Sequence, residues 1–338
     1  MKKVIVTGGA GYIGSHTVVE LWKAGYTPII IDNLSNTTID NIKGIESIIG
    51  TDIEYHKVDC TCRTSLYDVF KNIESDNDAS SFADEIIGVI HFAAFKSVGE
   101  SVEKPDKYYS NNIGSMKSIM DVMDTLDISN LIFSSSCSVY GNADILPVSE
   151  EAPFKDPESP YAETKQICES ILDESDIDSI SLRYFNPIGS HQSGHIGDRS
   201  TDKPAAIVPV ITNKVLNNGE LTVFGKDYNT KDGTCVRDYI HVVDLAKAHV
   251  KSLKHLESKS GKYVYNIGTG KGTSVLEAIN TFENATGEKI NWKYGDKREG
   301  DVVEVYADCT KVEKELGWKS EKSLENCMID SWNWERHK

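Results

Sequence analysis

The stretch Val4-Ile5-Val6-Thr7-Gly8-Gly9-Ala10-Gly11-Tyr12-Ile13-Gly14-Ser15-His16 decides the fold of this chain. Its β-branched run is typical of a buried parallel strand, and the glycines that follow let the backbone turn tightly and approach a pyrophosphate closely. A helix predicted over residues 15–24 would direct its free N–H groups at the phosphates. The stretch therefore predicts a site for the diphosphate of a nucleotide.

The spacing of the glycines between Gly8 and Gly14 fits two dinucleotide-binding patterns, G-x-G-x-x-G and the wider G-x-x-G-x-x-G. A second predicted strand, residues 27–31, ends on Asp32. An acidic side chain at that point is expected to accept hydrogen bonds from an adenosine ribose. The alternative, a glycine turn that only joins a strand to a helix, is disfavoured by this strand–turn–helix–strand context.

The chain has an acidic, globular composition. Of its 338 residues, 39% are hydrophobic and 26% are charged, and the formal net charge is −16. Because nucleic acids and anionic lipids bind a basic face, this charge argues against nucleic-acid and membrane partners. No apolar run approaches the ~20 residues that cross a bilayer, and the N-terminus enters a strand without signal-peptide architecture. We therefore expect a cytoplasmic protein.

The seven cysteines predict reduced thiols, because their number is odd and their positions are scattered. Only Cys60 and Cys62 lie close together in sequence, and they lack the spacer and the partner pair of a zinc site. We therefore expect no metal site.

Strand and helix patterns alternate along the first half of the chain, which predicts an α/β fold with a doubly wound parallel sheet of the Rossmann type. Further strands are predicted over residues 54–59, 86–92, 130–133 and 263–267. Further helices are predicted over residues 39–49, 65–73, 105–112, 113–126, 161–173 and 243–256. We expect a dinucleotide-binding domain over residues 1–186, to which 235–267 returns, and a smaller mixed α/β substrate-binding lobe over 187–338.

Small or acidic residues follow two of the predicted strands. Ala93 and Ala94 come after the strand 86–92, and small residues at such a position commonly line a ligand crevice. Asp59 ends the strand 54–59, where it could hold an adenine amino group or instead cap the next helix. The acidic, serine-rich segment 74–85 is expected to be an exposed, mobile loop.

Tyr161 and Lys165 are four residues apart in a segment without helix breakers, so both side chains are expected on one helix face. A free phenol has a pKa near ~10, and a nearby ammonium group can lower that pKa by roughly one to three. Tyrosine can then act as a general acid/base for a sugar or alcohol hydroxyl. Ser136, after the strand 130–133, could add a hydrogen bond. The alternative is a chance Y-x-x-x-K pair on an ordinary helix.

Five motifs resemble the extended short-chain dehydrogenase/reductase superfamily and, within it, the UDP-glucose 4-epimerase family. They are the glycine stretch, Tyr161-x-x-x-Lys165, Arg183-Tyr184-Phe185-Asn186-Pro187, Val236-Arg237-Asp238-Tyr239-Ile240-His241-Val242 and Arg298-Glu299-Gly300-Asp301. The match runs nearly end to end, and the later motifs are more specific than the glycine loop. It implies an enzyme that interconverts UDP-glucose and UDP-galactose with a tightly held NAD. Tyr161 would take the proton of the sugar 4-hydroxyl during transient oxidation at C4, and the 4-keto sugar would turn before hydride returns to its other face.

The resemblance also implies the site residues, of which Ser136, Tyr161 and Lys165 would be catalytic. Those implied to contact NAD are Gly8, Gly11, Tyr12, Ile13, Gly14, Asp32, Asn33, Asp59, Cys60, Phe92, Ala93, Ala94, Lys96, Asn111, Ser136, Tyr161, Lys165, Tyr184 and Phe185. Those implied to contact the UDP-sugar are Lys96, Ser136, Tyr161, Asn186, Ala206, Ile207, Phe224, Arg237, Arg298, Asp301 and Val305. An arginine pair suits a diphosphate, which must stay fixed while the sugar turns.

Two further properties follow from the resemblance. The helices over about 105–126 and 161–173 would pair with those of a second copy in a homodimer. Val305 matches the position that walls the sugar pocket beside C2, where a small residue admits N-acetylated sugars and a tyrosine excludes them. Valine there predicts that UDP-GlcNAc and UDP-GalNAc are also substrates. The alternative is that Val305 is only a buried strand residue.

The chain departs from the family pattern at three places. Ala205-Ala206 replaces a common asparagine pair and removes one expected phosphate contact. The loop over residues 195–200 differs from the usual Gly-Glu-Asp-Pro run, and the segment 74–85 resembles an insertion. These departures bear on affinity, because none of them touches the implied catalytic residues.

Two other functions are possible on this fold, because a fold does not set a function. The first is another nucleotide-sugar epimerase, or a dehydratase or decarboxylase. Dehydratases of the superfamily carry an Asp-Glu pair after the strand-end hydroxyl residue, whereas this chain has Cys137-Ser138. The second is a non-enzymatic NAD-sensing module. Such modules typically lose the tyrosine or the lysine, and this chain keeps both.

Overall fold

The structure is a computed structural model that describes residues 2–75, 85–201, 206–298 and 302–338. The first part contains β1 (Lys3–Thr7), α1 (Tyr12–Lys23), β2 (Thr27–Ile31), α2 (Asp40–Ile49), β3 (Tyr55–His56), α3 (Arg63–Ser75), β4 (Ile86–His91), α4 (Val98–Glu103), α5 (Pro105–Tyr108), α6 (Gly114–Thr125), β5 (Asn130–Ser134), α7 (Pro160–Asp173) and β6 (Asp178–Tyr184). The second part contains β7 (Asn186–Ile188), α8 (Ile207–Leu216), β8 (Leu221–Phe224), β9 (Val236–Arg237), β10 (Tyr239–His241), α9 (Val242–Leu256), β11 (Lys262–Ile267), β12 (Thr273–Ser274), α10 (Val275–Thr286), β13 (Trp292–Gly295), β14 (Glu304–Val305), α11 (Thr310–Leu316) and α12 (Leu324–His337).

A seven-stranded parallel sheet forms the centre of the first part, in the order β11-β6-β5-β4-β1-β2-β3. The chain order reverses between β1 and β4, which is the switch point where doubly wound sheets bind their ligands. The predicted parallel α/β sheet is therefore confirmed. Strand β11 pairs with β6 along Lys262–Ile267, so β11 belongs to this sheet. In sequence it comes after β7, β8, β9 and β10, which belong to other sheets.

Both faces of the sheet are covered, which explains why β1 is hydrophobic at consecutive positions. Val4 and Val6 point to the core shared with α1 and α9, whereas Ile5 points to the opposite core with α3, α6 and α7. All three side chains are fully buried. Burial of each contributes about 1.5–3 kcal/mol. A polar substitution on either face of β1 would therefore weaken one of the two cores.

Two elements differ from the sequence prediction. The strand expected over 54–59 shortens to β3, because the Asp59 carboxylate accepts the backbone N–H of Thr61 at 2.9 Å and its hydroxyl at 2.7 Å and forms a turn. The helices expected over 105–126 are interrupted by a π-helical turn at Tyr109–Ile113. In that turn the Asn112 side chain bonds both backbone polar atoms of Phe95, at 2.9 and 3.1 Å. Residues 76–84 of the predicted acidic loop lie outside the described residues.

The second lobe packs α8, α10 and α12 around its own hydrophobic cluster, beside the parallel pair β8–β13. Strands β7 and β10 form one further small sheet, and β12, β9 and β14 form another. In the described part of the chain, no helix is long and apolar enough to cross a membrane.

Buried histidines make the stability of this fold sensitive to acid. Burial lowers the pKa of His16 and His91 to about 3 and that of His249 to about 4. Between about pH 6.5 and those values, the unfolded chain binds protons that the folded chain excludes, so the free energy of unfolding falls as the pH falls. At pH 5 each such histidine is expected to cost roughly 2 kcal/mol relative to pH 7.

Urea unfolding at pH 7 and pH 5 tests this expectation. His249→Gln should show a smaller loss of stability between the two pH values than the wild type. His337→Gln, at a solvent-exposed position, should behave like the wild type. Equal losses in the wild type and His249→Gln would contradict the assignment.

Candidate functional site

A cleft opens at the carboxyl ends of the central strands, where β1, β2 and β4 meet the start of α1. Most residues expected to contact a dinucleotide line it: Gly8, Gly11, Tyr12, Ile13, Gly14, Asp32, Asn33, Asp59, Cys60, Phe92, Ala93, Ala94, Lys96, Asn111, Tyr161, Lys165 and Tyr184. Ser136 and Phe185 are not among the lining residues. Phe185 is instead buried in an apolar cluster with Val305.

The glycine turn forms a cradle in which side chains would not fit. A Cβ atom at Gly14 would lie 2.3 Å from the Gly8 carbonyl oxygen, and one at Gly8 would lie 2.7 Å from the Ala93 nitrogen. Gly8 also has a φ of +71°, which favours glycine. Helix α1 begins at Tyr12 directly after this turn, so its free N–H groups border the cleft. The cradle fits a dinucleotide diphosphate.

Asp32 lies at the end of β2 and fits the adenosine ribose. Its carboxylate accepts the backbone N–H groups of Leu34 at 2.8 Å and Ala10 at 3.1 Å, which fix its position beside the glycine turn. Burial raises its pKa, and the two N–H bonds lower it. The Asn33 amide donates to the Asp59 carboxylate at 3.0 Å. Asp59 therefore lines the cleft from the turn before α3 and is not the residue that caps this helix.

Tyr161 and Lys165 share one face of α7 and reach the opposite end of the cleft. Lys165 Nζ donates to the Ser134 carbonyl oxygen at 2.8 Å and lies 5.8 Å from the centre of the Tyr161 ring. Ser136 follows β5, and its side chain lies close enough to Tyr161 to lower the pKa of that phenol. The structure therefore brings the three predicted catalytic residues together.

The expected lowering of the pKa of Tyr161 is wrong for this structure. Burial raises the pKa of Tyr161 well above its usual value, neighbouring Tyr184 raises it further, and Ser136 opposes this. The physical reason is that a buried phenolate loses its hydration, and the Lys165 ammonium donates to a carbonyl. Burial also lowers the pKa of Lys165 to about 8.

Lys96 and Asn111 border the cleft from the segments after β4 and in the π-helical turn. Lys96 Nζ lies 3.4 Å from the Asp198 carboxylate and 5.7 Å from the centre of the Tyr12 ring. The Asn111 amide donates to Asn112 at 3.0 Å. The ion pair between Lys96 and Asp198 joins the first lobe to the 195–200 loop across the cleft.

The residues expected to hold the UDP portion are organised around Asp238. Its fully buried carboxylate accepts bonds from the Thr269 N–H and hydroxyl at 2.8 and 2.6 Å and from the Ala307 N–H at 3.2 Å. Its carbonyl oxygen accepts the Asn186 N–H at 2.9 Å and side-chain amide at 3.2 Å. Arg237 is the last residue of β9 and directly precedes Asp238. It pairs with Val305 of β14. Asn186, Arg237 and Val305 are therefore adjacent.

The remaining expected substrate residues lie in the second lobe. The Arg298 guanidinium stacks 4.7 Å from the centre of the exposed Phe224 ring. Ala206 is the N-cap of α8 and supplies no side-chain bond, and Ile207 packs partly into the core of the second lobe. Asp301 lies outside the described residues.

Several lining residues were not expected: Ser35, Asn36, Thr37, Val58, Phe95, Ser115, Ser134 and Ser200. Those over 35–37 lie two to four residues after Asn33 and beyond the end of β2, so the rule that ligands lie beyond strand ends could have found them. Ser200 comes from the second lobe and carries no sequence signal. In the part of the chain that the structure describes, no group of His, Cys, Asp and Glu side chains is arranged to hold a metal ion.

Comparison with known proteins identifies relatives along the whole chain. A model of the NAD dependent epimerase/dehydratase family matches residues 4–268. The chain is 44% identical to a UDP-glucose 4-epimerase of Dictyostelium discoideum, over 98% of this chain and 95% of the relative. It is similar, with a TM-score of 0.94 and 38% identity, to a Stenotrophomonas maltophila UDP-glucose-4-epimerase with bound NAD and formylated UDP-arabinopyranose, over 99% of this chain and 98% of that one. It is also similar to the Bifidobacterium longum UDP-glucose 4-epimerase in complex with NAD+ and UDP, with a TM-score of 0.91 and 40% identity over 99% and 98% of the two chains.

Gly14→Ala is expected to abolish retention of the dinucleotide, because its Cβ would collide with backbone atoms on the floor of the cradle. The measurement is the amount of nucleotide released when the purified protein is denatured. Gly99→Ala is a matched control, since a Cβ at Gly99 meets nothing within 4 Å. Wild-type nucleotide content in Gly14→Ala would show that the cradle is not the diphosphate site.

Proposed function

Because this chain belongs to the UDP-glucose 4-epimerases of the NAD dependent epimerase/dehydratase family, we infer that it interconverts UDP-glucose and UDP-galactose with NAD. The observation that carries this inference is that Tyr161 and Lys165, with Ser136 beside Tyr161, lie at one end of a cleft that begins with the glycine cradle. A hydride acceptor held in that cleft and a base beside it are what oxidation of a secondary hydroxyl requires.

The division of labour follows from the chemistry of each group. NAD, when bound, supplies the acceptor and donor of hydride at sugar C4. Tyr161 removes the proton of the 4-hydroxyl and later returns it, while Ser136 holds the same oxygen by a hydrogen bond. The Lys165 ammonium lies 5.8 Å from the centre of the Tyr161 ring, where its positive charge opposes the effect of burial on the phenol. Because hydride leaves and returns, the reaction has no net redox change.

The nucleotide half of the substrate must stay fixed while the hexose turns. We assign this role to Asn186, Arg237, Arg298 and Asp301, with Ala206, Ile207 and Phe224 beside them. Guanidinium groups suit a diphosphate because their fork of donors matches two phosphate oxygens. In this proposal residues 1–186, with 235–267, hold NAD, and the remainder of 187–338 holds the UDP-sugar.

The residues around Ser136 and Tyr161 do not fit a dehydratase or a protein that only senses NAD. Dehydration would require an acid/base pair after Ser136, at Cys137 and Ser138. Burial raises the pKa of the Cys137 thiol to about 12, so it stays neutral and cannot replace a carboxylate at neutral pH. A protein that only senses NAD would have no use for a buried lysine beside a tyrosine.

Tyr161→Phe is expected to lower kcat for UDP-galactose by at least about 100-fold, because it removes the general base. The NAD content should be unchanged, since the cradle is intact. The assay mixes purified protein with UDP-galactose, without added cofactor, and measures UDP-glucose. Tyr294→Phe, at an exposed tyrosine of β13, is the matched control. Near wild-type turnover of Tyr161→Phe would refute the role of Tyr161.

We also propose a homodimer that acts in the cytoplasm. The proposed interface consists of the helices over 105–126 and 161–173, where Met120 remains only partly buried in the single chain. The seven free cysteines suit a reducing compartment. Light scattering at micromolar concentration is expected to give twice the mass of the chain, and a monomer mass would count against the proposed interface.

Val305 bears on which sugars are accepted. It is 7% exposed and packs with Val139, Tyr140 and Phe185 beside the substrate residues. We propose that its small size leaves room beside C2, so that UDP-GlcNAc and UDP-GalNAc are also interconverted. A phenol ring at this position would clash with an acetamido group.

Val305→Tyr is therefore expected to abolish turnover of UDP-GlcNAc while sparing that of UDP-galactose. Val303→Tyr, at an exposed position two residues earlier, should change neither activity. The two substrates are compared in parallel under the same conditions. If the wild-type protein converts UDP-galactose but leaves UDP-GlcNAc untouched, the proposal about Val305 is wrong.

A further inference from the structure

Three successive serines at the end of β5, Ser134 to Ser136, lie against three successive turns of α7. Ser136 lies close enough to Tyr161 to lower the pKa of that phenol, and the Ser134 carbonyl oxygen accepts from Lys165 Nζ at 2.8 Å. The hydroxyl of the middle serine, Ser135, donates to the Glu169 carboxylate. Tyr161, Lys165 and Glu169 are spaced four residues apart, so they lie on one face of the helix. Glu169 is therefore the third member of the row that contains the two proposed catalytic residues.

Glu169 is held by a second, stronger partner. The Arg183 guanidinium of β6 donates to both carboxylate oxygens, at 3.1 Å from Nε and 2.6 Å from a terminal nitrogen. Arg183 continues to the Tyr140 hydroxyl at 3.0 Å. Glu169, Arg183 and Ser135 are all at least 94% buried. A buried carboxylate with this many donors has a fixed position, and it fixes the groups that it binds.

We propose that Glu169 is a positioning residue for the reaction: its carboxylate fixes the 134–136 turn against α7 and places a carboxylate one helical turn from Lys165. This inference rests on the proposed function, because Glu169 acts through Lys165 and Ser136. Nothing in the sequence analysis singled out Glu169. Its role emerges only when the turn after β5 and the helix face are seen together.

The charge balance around Lys165 supports the second part of the proposal. The titratable groups that interact with it are Cys168 and Glu169 on α7 and His91 on β4, and Tyr161 and Tyr184 line the same end of the cleft. The charged group next to these is Arg183 of β6, which is bound to Glu169. Burial raises the pKa of the two tyrosines and of Cys168 and lowers that of His91, so these four are neutral near pH 8. Cys168 and Glu169 raise the pKa of Lys165 against the effect of burial, and the Glu169 carboxylate is at the same time paired with the Arg183 guanidinium.

The experiment measures kcat for UDP-galactose between pH 6 and 10. In Glu169→Gln, the alkaline decline of kcat is expected to begin roughly one pH unit lower than in the wild type, because Lys165 loses its proton more easily. The double variant Glu169→Gln/Arg183→Met removes both charges of the ion pair and leaves no buried guanidinium unpaired, so its alkaline limb should move in the same direction but less than that of Glu169→Gln. Glu174→Gln, at the exposed end of α7, is the matched control and should keep the wild-type profile.

Ser135→Ala tests the first part of the proposal and still decides it if the Gln variants do not fold. It leaves the charge of Glu169 in place, so kcat is expected to fall about tenfold through misplacement of Ser136, with unchanged KM and an unchanged alkaline limb. A wild-type kcat in Ser135→Ala, or a wild-type alkaline limb in both Gln variants, would overturn the proposal. A wild-type protein that converts no UDP-galactose would instead refute the proposed function.

Discussion

The close approach of backbone segments around the glycine turn is the constraint on which the rest of the structure depends. At Gly8 and Gly14 there is no room for even one carbon atom between the turn, the start of α1 and the chain after β4. This contact fixes the N-terminus of α1 over the carboxyl edge of the sheet. It also places Ala93 beside the turn, so that β1, β2 and β4 open into one cleft. The other cofactor residues project into space that this contact defines.

The second lobe is tied to that edge by one buried carboxylate. Asp238 collects bonds from Thr269, Gly270 and Ala307, which come from segments far apart in the chain. Its backbone carbonyl accepts the N–H of Asn186, the first residue of β7. A buried carboxylate without hydrogen-bond donors would lower the free energy of unfolding. The segments that supply these donors are therefore needed together. The substrate side of the cleft is thereby built as a unit against the cofactor side.

Much of the fold could be predicted because its signals are local. Continuous β-branched runs predicted β1, β2, β4 and β5 within about a residue, and the alternation of strands and helices predicted the parallel sheet. The π-helical turn at Tyr109–Ile113 could not be predicted, since it depends on the bonds between Asn112 and the distant Phe95. Ser200 could not be predicted as a lining residue either, because only the packing of the second lobe brings it to the cleft.

The site was harder to predict where charge competes with burial. Sequence spacing places Lys165 beside Tyr161 and suggests an acidic phenol, but spacing does not report how much water each group loses. In the fold both groups are buried, so burial favours their neutral forms and opposes the charges that the chemistry needs. A network that holds one carboxylate near the lysine offsets part of this effect. The same burial that raises the pKa of the phenol also keeps water away from it, so the proton that Tyr161 exchanges has few competing acceptors.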